Sequence, residues 1–294
     1  KNVRLRLAMD YHPLPLIDDL VDQLTEAQFF STVDLKSGYY QMPMCGEDAA
    51  KTAFVTPDGQ YEWTGRGTPF GLSGAPATFQ RLMSAILGQL NWTAALCYLD
   101  DVLVWGRNWE EHGSRLREVL TKLRSAGVLL NPDKCCFGVR EVEFLGHMIA
   151  AGTMRISYAR VQALLRTPRP TTVTLLWKAM GAFSYVQRWI PGMATIAKPL
   201  YEMMKGSRNT LLQWSEKAIK SFDMLKQQVA SAPVLQLPDM NRPFVLVTDA
   251  SDVGTGAMLA QQRDGKQLAP VAFFHHTLTK AERNYPVTDR ELLA

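Results

Sequence analysis

The stretch that sets the fold reads Ala94-Ala95-Leu96-Cys97-Tyr98-Leu99-Asp100-Asp101-Val102-Leu103-Val104-Trp105. Neither run beside the two acids contains a charged residue, which predicts two strands buried on both faces. Paired acids are common in exposed turns, but two carboxylates placed where buried strands meet are costly unless a cation or hydrogen-bond donors compensate. The pair Asp100-Asp101 therefore predicts a cation site at the end of a buried strand pair.

A third acid has a similar setting. The apolar residues 29–33 predict a short strand that ends at Asp34. We expect Asp34 and Asp100 to bind Mg²⁺ directly and Asp101 to be a second or partial ligand, with Mn²⁺ as an alternative ion. Two such ions roughly 3.5–4 Å apart would stabilise the attacking and leaving oxygens of an in-line phosphoryl transfer.

Helical patterns flank these strands. Apolar residues at helical spacing predict a helix over residues 76–90, with Pro76 in its first turn. A second helix is predicted over residues 110–126, with Gly127 as the residue that ends it. Strands and helices in this arrangement predict an α+β fold for residues 1–152.

The bulk composition is that of an ordinary globular protein. Hydrophobic residues make up 47% and charged residues 20% of the 294 residues. No run approaches the roughly 18 apolar residues of a membrane span, so no membrane partner is expected. The chain starts at Lys1 without a signal-peptide pattern, and we expect it to be a piece of a longer protein.

The cysteines are Cys45, Cys97, Cys135 and Cys136. No pair has CxxC spacing, which argues against a zinc site and a disulfide framework. Apolar neighbours predict buried, reduced thiols.

One segment carries positive charge alone. Residues 144–201 contain no Asp or Glu. The segment contains seven basic residues, Arg155, Arg160, Arg166, Arg169, Lys178, Arg188 and Lys198. This predicts a contact with a phosphate backbone, for which the first six are our candidate nucleic-acid-binding residues. The alternative is a solvated helical face that lacks acids.

The remaining chain divides into two further segments. Residues 153–238 are mostly helical in pattern. The aromatic residues Trp177, Tyr185 and Trp189 could stack on bases, but we favour a place in the helical core for most of them. Residues 239–294 predict three strands, at 244–248, 256–261 and 271–274, and a helix from Thr288. A sheet with an uncovered apolar face and a single helical turn predicts an incomplete domain.

Three motifs in order along the chain carry a family resemblance. Tyr98-Leu99-Asp100-Asp101 resembles the YxDD signature of reverse transcriptases. Residues 31–41 are similar to the family's first catalytic-aspartate motif, and residues 68–80 resemble the segment that lines its nucleotide pocket. The resemblance is to Pol polyproteins of gypsy-type long-terminal-repeat retrotransposons and retrovirus-like elements.

The resemblance implies a right-hand polymerase. Partial fingers and palm would occupy residues 1–152, and thumb and connection residues 153–238. Residues 239–294 would form the amino-terminal part of a truncated ribonuclease H-like α/β domain. Asp34, Asp100 and Asp101 map onto the family's catalytic triad.

The implied activity is that of an RNA-directed DNA polymerase, a nucleotidyltransferase that adds deoxynucleotides to a primer 3′ end. Its partners would be an RNA or DNA template with primer, deoxynucleoside triphosphates and other Pol or Gag products. By analogy it would work in a cytoplasmic virus-like particle. A decayed or domesticated fragment that binds nucleic acid without catalysis is the alternative. A cellular polymerase or nuclease would explain the acids but not the ordered motifs.

The resemblance also assigns the nucleotide pocket. Tyr39 maps onto the aromatic steric gate that excludes a 2′-hydroxyl, and its alternative is a core tyrosine. The other pocket residues implied are Leu35, Gly38, Phe70 and Gly71. Retroviral enzymes usually carry Gln where Phe70 stands, a departure that gypsy-type enzymes share.

Two further sites are implied by the resemblance. Leu145, Gly146 and His147 match the primer grip, or alternatively a routine strand with a glycine bend. Asp249 and Glu291 match carboxylates of the ribonuclease H site, and Thr288-x-x-Glu291 is also a capping box. The family's later aspartates would follow residue 294, so ribonuclease H activity is not expected of this chain.

Overall fold

The computed structural model describes residues 12–64, 67–262 and 267–293. The chain divides into two compact units, Lys1–Leu145 and Gly146–Ala294. Both combine helices with antiparallel strands, which confirms the predicted α+β class. Across the described ranges, no helix has the length and apolarity needed to cross a bilayer.

The first unit is built around one antiparallel sheet. Its elements in chain order are α1 (Ile17–Asp22), β1 (Phe29–Asp34), α2 (Gly46–Ala49), β2 (Phe54–Thr56), β3 (Gly59–Tyr61), α3 (Ala75–Leu87), β4 (Ala95–Tyr98), β5 (Asp101–Gly106), α4 (Trp109–Ser125), β6 (Cys136–Val139) and β7 (Glu141–Phe144). The sheet has the strand order β4-β5-β1-β6, and β2 and β3 form a separate hairpin. The two middle strands are therefore β5 and β1.

The predicted burial of the central strands is confirmed. Leu96, Leu103 and Val104 have no exposed surface. Helix α3 packs against β4, and α4 packs against β5. Because helices cover the sheet, the apolar runs on both sides of the acidic pair are removed from water.

The two covering helices lie near their predicted bounds, although α3 ends at Leu87, three residues before the predicted end at residue 90. Pro76 lies in the first turn of α3, which buries Phe79, Met83 and Leu87. The Asn108 side chain accepts a hydrogen bond from the Glu111 backbone N–H at 2.8 Å and so caps α4. Gly127, at φ +71°, follows its carboxyl end, where glycine adopts the left-handed conformation without strain.

Across its described residues, the second unit contains a small sheet, five helices and a larger sheet. Its elements are β8 (His147–Ala150), β9 (Thr153–Ile156), α5 (Tyr158–Arg166), α6 (Val173–Tyr185), α7 (Met193–Met203), α8 (Glu216–Ala230), β10 (Leu235–Gln236), β11 (Phe244–Ala250), β12 (Gly254–Gln262), β13 (Leu268–Thr277) and α9 (Val287–Leu293). Strand β9 pairs with β8 and β10, and the larger sheet has the order β11-β12-β13.

Hydroxyl side chains start three of these helices. Ser157, Thr172 and Ser215 each accept a hydrogen bond from a backbone N–H in the first turn of the helix that follows. The helices bury Phe183 and Phe222 completely. Hydroxyl caps and apolar faces at helical spacing together account for the helical bundle.

The larger sheet has an exposed outer strand. Strand β11 pairs only with β12 among the described strands, and Leu246 is 61% exposed.

The predicted capping box is wrong, because α9 begins at Val287 and places Thr288 inside its first turn. The Pro286 carbonyl accepts a hydrogen bond from the Arg290 N–H at 3.1 Å, so the helical hydrogen bonds start earlier than predicted.

The four cysteines are free thiols, but their predicted burial is wrong for two of them. Cys97 is buried in β4 and Cys135 is half-buried, whereas Cys45 and Cys136 are exposed. Cys136 starts the outer strand β6, whose first residues face solvent.

Candidate active site

Strand register brings two of the predicted catalytic acids together. Strands β1 and β5 pair with Asp34 directly opposite Asp101. Opposed residues in an antiparallel pair have Cα atoms roughly 4.5–5.5 Å apart and side chains on the same face. Tyr98 also pairs with Asp101, which leaves Leu99 and Asp100 as a two-residue turn. All three acids therefore lie at one end of the sheet.

The carboxylates repel one another. Asp101 counts as an exposed residue, yet desolvation of its carboxyl is the largest cause that raises its pKa, followed by the charges of Asp100 and Asp34. Lys134 acts in the opposite direction and lowers the pKa. Asp34, Asp101, Lys134 and Glu143 line one polar cavity of about 130 Å³. The site has more negative than positive charge, which a cation would balance.

The acids fit a divalent cation whose coordination shell is completed by the substrate. In the part of the chain that the structure describes, no group of three or more metal-ligating side chains is already assembled. Mg²⁺ does not need such a cage, because it is usually held by one or two carboxylates together with substrate phosphates and water. Asp34 and Asp101 lie on one face and would supply two such carboxylates, and Asp100, the other expected direct ligand, is the adjacent residue in the turn.

The turn that carries Asp100 has an unusual backbone. Leu99 has φ +56° although it is not glycine, a conformation that costs roughly 1–2 kcal/mol. The buried Gln80 side chain accepts a hydrogen bond from the Leu99 N–H at 2.8 Å and donates one to the Cys97 carbonyl at 2.9 Å. Two hydrogen bonds at about 1 kcal/mol each offset that cost.

Gln80 was not among the predicted site residues. It belongs to the segment similar to the family's nucleotide-pocket motif, but the sequence alone assigned it no role. A signal was present, because Gln80 lies next to Phe79 on the apolar side of a predicted amphipathic helix. An amide buried at such a position requires hydrogen-bond partners inside the protein.

The predicted nucleotide-pocket segments also lie together. The ring centroid of Tyr39 is 5.5 Å from that of Phe70 and 5.2 Å from that of Phe79. The Thr68 N–H donates to the Tyr39 carbonyl at 3.1 Å and joins the two segments. Burial and then the charge of Asp100 raise the pKa of Tyr39, so its hydroxyl stays neutral at physiological pH.

Three smaller pocket residues have different settings. A Cβ on Gly38 would lie 2.9 Å from Phe79 Cζ and 3.3 Å from Asp100 Cβ, so glycine lets this loop approach the Asp100 turn. Leu35 is 2% exposed and belongs to the hydrophobic core. Gly71 is exposed at φ +92°.

The predicted primer-grip residues include a tight turn. Leu145 and Gly146 have φ values of +51° and +75° and connect β7 to β8. Leu145 lines the same cavity as Asp34 and Asp101. In the second unit, His147 is buried, and its ring stacks on Trp189 with centroids 5.0 Å apart.

The six candidate nucleic-acid-binding residues differ in their settings. Arg155, Arg166, Arg169 and Lys178 are exposed. Inside the second unit, Arg160 lies 4.0 Å from the centroid of the Tyr185 ring, Arg169 pairs with Asp223 at 2.8 Å, and Arg188 donates to the Val271 carbonyl at 3.2 Å. Charge composition alone could not predict these contacts.

Lys178 lies in a cleft of about 440 Å³ that Trp177 and Arg208 also line. Trp177 is 57% exposed and so lies outside the helical core that we favoured for most of the aromatic residues, whereas Trp189 is 2% exposed. Leu176, the neighbour of Trp177, faces the core instead, since helical periodicity turns adjacent residues to different sides. Arg208 lies outside the acid-free segment and was missed for that reason. An exposed indole that lines a cleft together with two cations suits a nucleic-acid strand.

The two predicted ribonuclease H carboxylates are both exposed. Asp249 lies on β11 and Glu291 on α9. Helix α9 packs against β11, which brings the elements that carry them into contact.

Two family models match the chain. Residues 2–149 match the model for reverse transcriptase (RNA-dependent DNA polymerase). Residues 214–294 match the model for the RNase H-like domain found in reverse transcriptase. The first match contains all three acids and the predicted nucleotide pocket.

Similar curated proteins are polyproteins of transposons. The retrovirus-related Pol polyprotein from transposon 297 of Drosophila melanogaster is 38% identical over 285 residues, which cover 97% of this chain and 26% of that protein. The Pol polyprotein from transposon opus of the same fly is 35% identical, over 97% of this chain and 29% of that protein. The transposon Tf2-3 polyprotein of Schizosaccharomyces pombe is 32% identical, over all of this chain and 23% of that protein. The chain thus spans about a quarter of these relatives.

Solved structures confirm the predicted right-hand fold. The foamy viral protease-reverse transcriptase in complex with double-stranded DNA has a TM-score of 0.81 at 22% identity, covering 94% of this chain and 47% of that one. The same viral protein with an RNA/DNA hybrid has a TM-score of 0.81 at 22% identity, covering 96% and 38%. At this identity the likeness concerns the fold.

Proposed function

The chain belongs to the reverse transcriptase family, and from this we propose that it is an RNA-directed DNA polymerase that uses two Mg²⁺ ions. The reaction is the addition of deoxynucleotides to the 3′ end of a primer. The observation that carries the proposal is the register of β1 and β5, which sets Asp34 opposite Asp101 beside the turn of Asp100. The site has more carboxylates than basic side chains, and such a site suits phosphoryl transfer with divalent cations.

The acids would hold the cations and the triphosphate would complete their coordination. Bound Mg²⁺ ions supply activation of the primer 3′-hydroxyl and neutralisation of the departing pyrophosphate. Asp34 and Asp101 act from adjacent strands and Asp100 acts from the turn, so a rigid sheet fixes the ligands. Lys134, which lines the same cavity, limits the charge repulsion in the absence of substrate.

The aromatic pocket would select the sugar. Tyr39 contacts Phe70 and Phe79, which fix the position of its ring. A ring held beneath the sugar leaves no room for a 2′-hydroxyl, so deoxynucleotides are preferred. Gly38 supports this arrangement, since a side chain there would clash with Phe79 and press on Asp100.

An RNA or DNA template with its primer is the proposed macromolecular partner. The exposed Trp177 offers a face for base stacking, with Lys178 and Arg208 placed to contact phosphates. The foamy viral relatives in fold were solved with double-stranded DNA and with an RNA/DNA hybrid, which supports the same partner class here.

The test is primer extension on an RNA template with a DNA primer, Mg²⁺ and deoxynucleotides. We expect Asp100→Asn to lower the extension rate by at least about 10³-fold, because it removes a charged ligand from the reacting centre. Asp19→Asn makes the same chemical change at an exposed residue of α1 and should retain the wild-type rate. A wild-type protein that binds duplex but never extends the primer would instead support nucleic-acid binding without catalysis.

A further inference from the structure

We propose that Gln80 is a positioning residue that holds the turn carrying Asp100 through both ends of its side-chain amide. The inference rests on the proposed polymerase function for its catalytic consequence. That Gln80 holds the turn is inferred from the hydrogen bonds of its buried side chain alone. Gln80 would act through Leu99 and Cys97 and would not touch the substrate.

The contacts of Gln80 are specific in direction. Oε1 accepts the Leu99 N–H at 2.8 Å, and Nε2 donates to the Cys97 carbonyl at 2.9 Å. The two backbone groups flank Tyr98 and are a donor and an acceptor, so only one orientation of the amide satisfies both. Gln80 is 2% exposed, which leaves water little access to replace either hydrogen bond.

The turn needs support beyond the strand ladder because Leu99, which is not glycine, has a positive φ. Tyr98 and Asp101 form the last pair of the β4–β5 ladder, and Leu99 lies beyond it at φ +56°. Residues in such sparsely populated conformations persist only where the surrounding structure over-determines them. The Cys97 thiol donates to the Leu99 carbonyl at 3.3 Å, so side chains engage both polar groups of the Leu99 backbone.

The position of Asp100 depends on this turn. Asp100 follows Leu99 directly, and its Cβ lies 3.3 Å from the point where a Gly38 Cβ would be. A turn that relaxed toward negative φ would move the Asp100 carboxylate relative to Asp34. Displacements near 1 Å of a reacting group commonly cost about 100-fold in rate. Loss of the Gln80 contacts should therefore lower the rate of chemistry and leave nucleotide affinity nearly unchanged.

The first experiment compares Gln80→Met with wild type in single-turnover primer extension. Methionine keeps a similar volume and loses both hydrogen bonds. We expect the maximal rate to fall by about 10–100-fold and the half-saturating nucleotide concentration to change by less than about twofold. Gln89→Met makes the same change at an exposed glutamine just after α3 and should leave both constants unchanged.

A second readout needs no polymerase activity. Hydrogen exchange of the Leu99 amide, resolved by NMR in the folded protein, should accelerate at least tenfold in Gln80→Met. The Val104 amide, inside the central strand β5, serves as the internal reference and should not change. Unchanged Leu99 exchange in a folded Gln80→Met protein would overturn the proposal. Accelerated exchange with a wild-type extension rate would overturn the catalytic part of it.

Two further variants distinguish loss of the turn from misfolding of the protein. Gln80→Glu keeps the acceptor for Leu99 and should preserve its protection, with a smaller loss of rate than Gln80→Met. Glycine adopts positive φ readily, so in a Leu99→Gly background Gln80→Met should cost at least fivefold less than in wild type. Equal costs in the two backgrounds would contradict a role in holding the left-handed turn. If wild type fails to extend primers, the proposed function fails while Leu99 exchange still decides whether Gln80 holds the turn.

Discussion

Replacement of Asp101 by Asn should stabilise the protein when no divalent cation is present. Asp101 lies opposite Asp34 and next to Asp100, and burial with these charges raises its pKa above the ordinary 3.8. Two unit charges about 4 Å apart interact by roughly 1 kcal/mol in water, and an exposed site lies close to that limit. We therefore expect Asp101→Asn to raise the free energy of unfolding by about 0.5–1 kcal/mol, or the melting temperature by about 1–3 °C.

The pH dependence of this gain has a defined sign. A carboxyl with a raised pKa binds its proton more tightly in the folded state than in the unfolded chain. The wild type is thus most stable, relative to the variant, below pH 3.8 and loses that stability as the pH rises through the raised pKa of Asp101. The advantage of Asp101→Asn should be absent at low pH and complete at pH 7.

Calorimetry at several pH values, with and without Mg²⁺, measures both effects. Added Mg²⁺ should stabilise the wild type and reduce the difference, because it neutralises the repelling carboxylates. Asp19→Asn provides the control at an exposed acid; it removes a favourable charge from the first turn of α1, so it should not raise stability and should not alter the response to Mg²⁺. A metal-free Asp101→Asn protein that is less stable than wild type at pH 7 would refute the electrostatic account of the site.

Three further outcomes are expected. Tyr39→Ala should raise the ratio of ribonucleotide to deoxynucleotide incorporation by about 10–100-fold in extension assays, since the ring no longer excludes the 2′-hydroxyl. Lys178→Gln should weaken duplex binding and reduce the slope of log affinity against log salt by about one in fluorescence anisotropy. Iodoacetamide should modify the exposed Cys45 and Cys136 in mass spectra of the native protein and spare Cys97, whose pKa burial raises to about 12.

Each of these outcomes has a matched contrast. Tyr158→Ala changes an exposed tyrosine of the second unit and should keep the wild-type sugar preference. Lys217→Gln changes an exposed lysine of α8 that does not line the Trp177 cleft. If Lys217→Gln weakened duplex binding as much as Lys178→Gln, a specific contact between Lys178 and the duplex would be contradicted. Rapid labelling of Cys97 in folded protein would show that β4 opens far more readily than its burial implies.

The sequence predicted the central strands well because their signal is local. Unbroken apolarity on both sides of Asp100-Asp101 requires burial on both faces, and β4 and β5 have it. The helix limits followed from Pro76 and Gly127 for the same reason. Family resemblance added the right-hand arrangement, which no local pattern contains.

The contacts between distant residues could not be predicted in this way. That Asp34 lies opposite Asp101 depends on strand register, which a single sequence does not specify across a long connection. Arg169 counted as a free cation in an acid-free segment, but its partner Asp223 comes from the later helix α8. Trp177 shows the remaining difficulty, since a shift of one helical position decides between core and solvent.

The exposed strand β11 has a consequence for how the protein behaves before it is fully folded. Among the described strands β11 pairs with β12 alone, and an outer strand with exposed apolar side chains such as Leu246 is a template for pairing with other chains. Folding and self-association then compete, and only the second depends on concentration. Recovery from refolding should therefore improve on dilution, and Leu246→Lys should reduce aggregation because a charge on an outer strand opposes pairing with other chains.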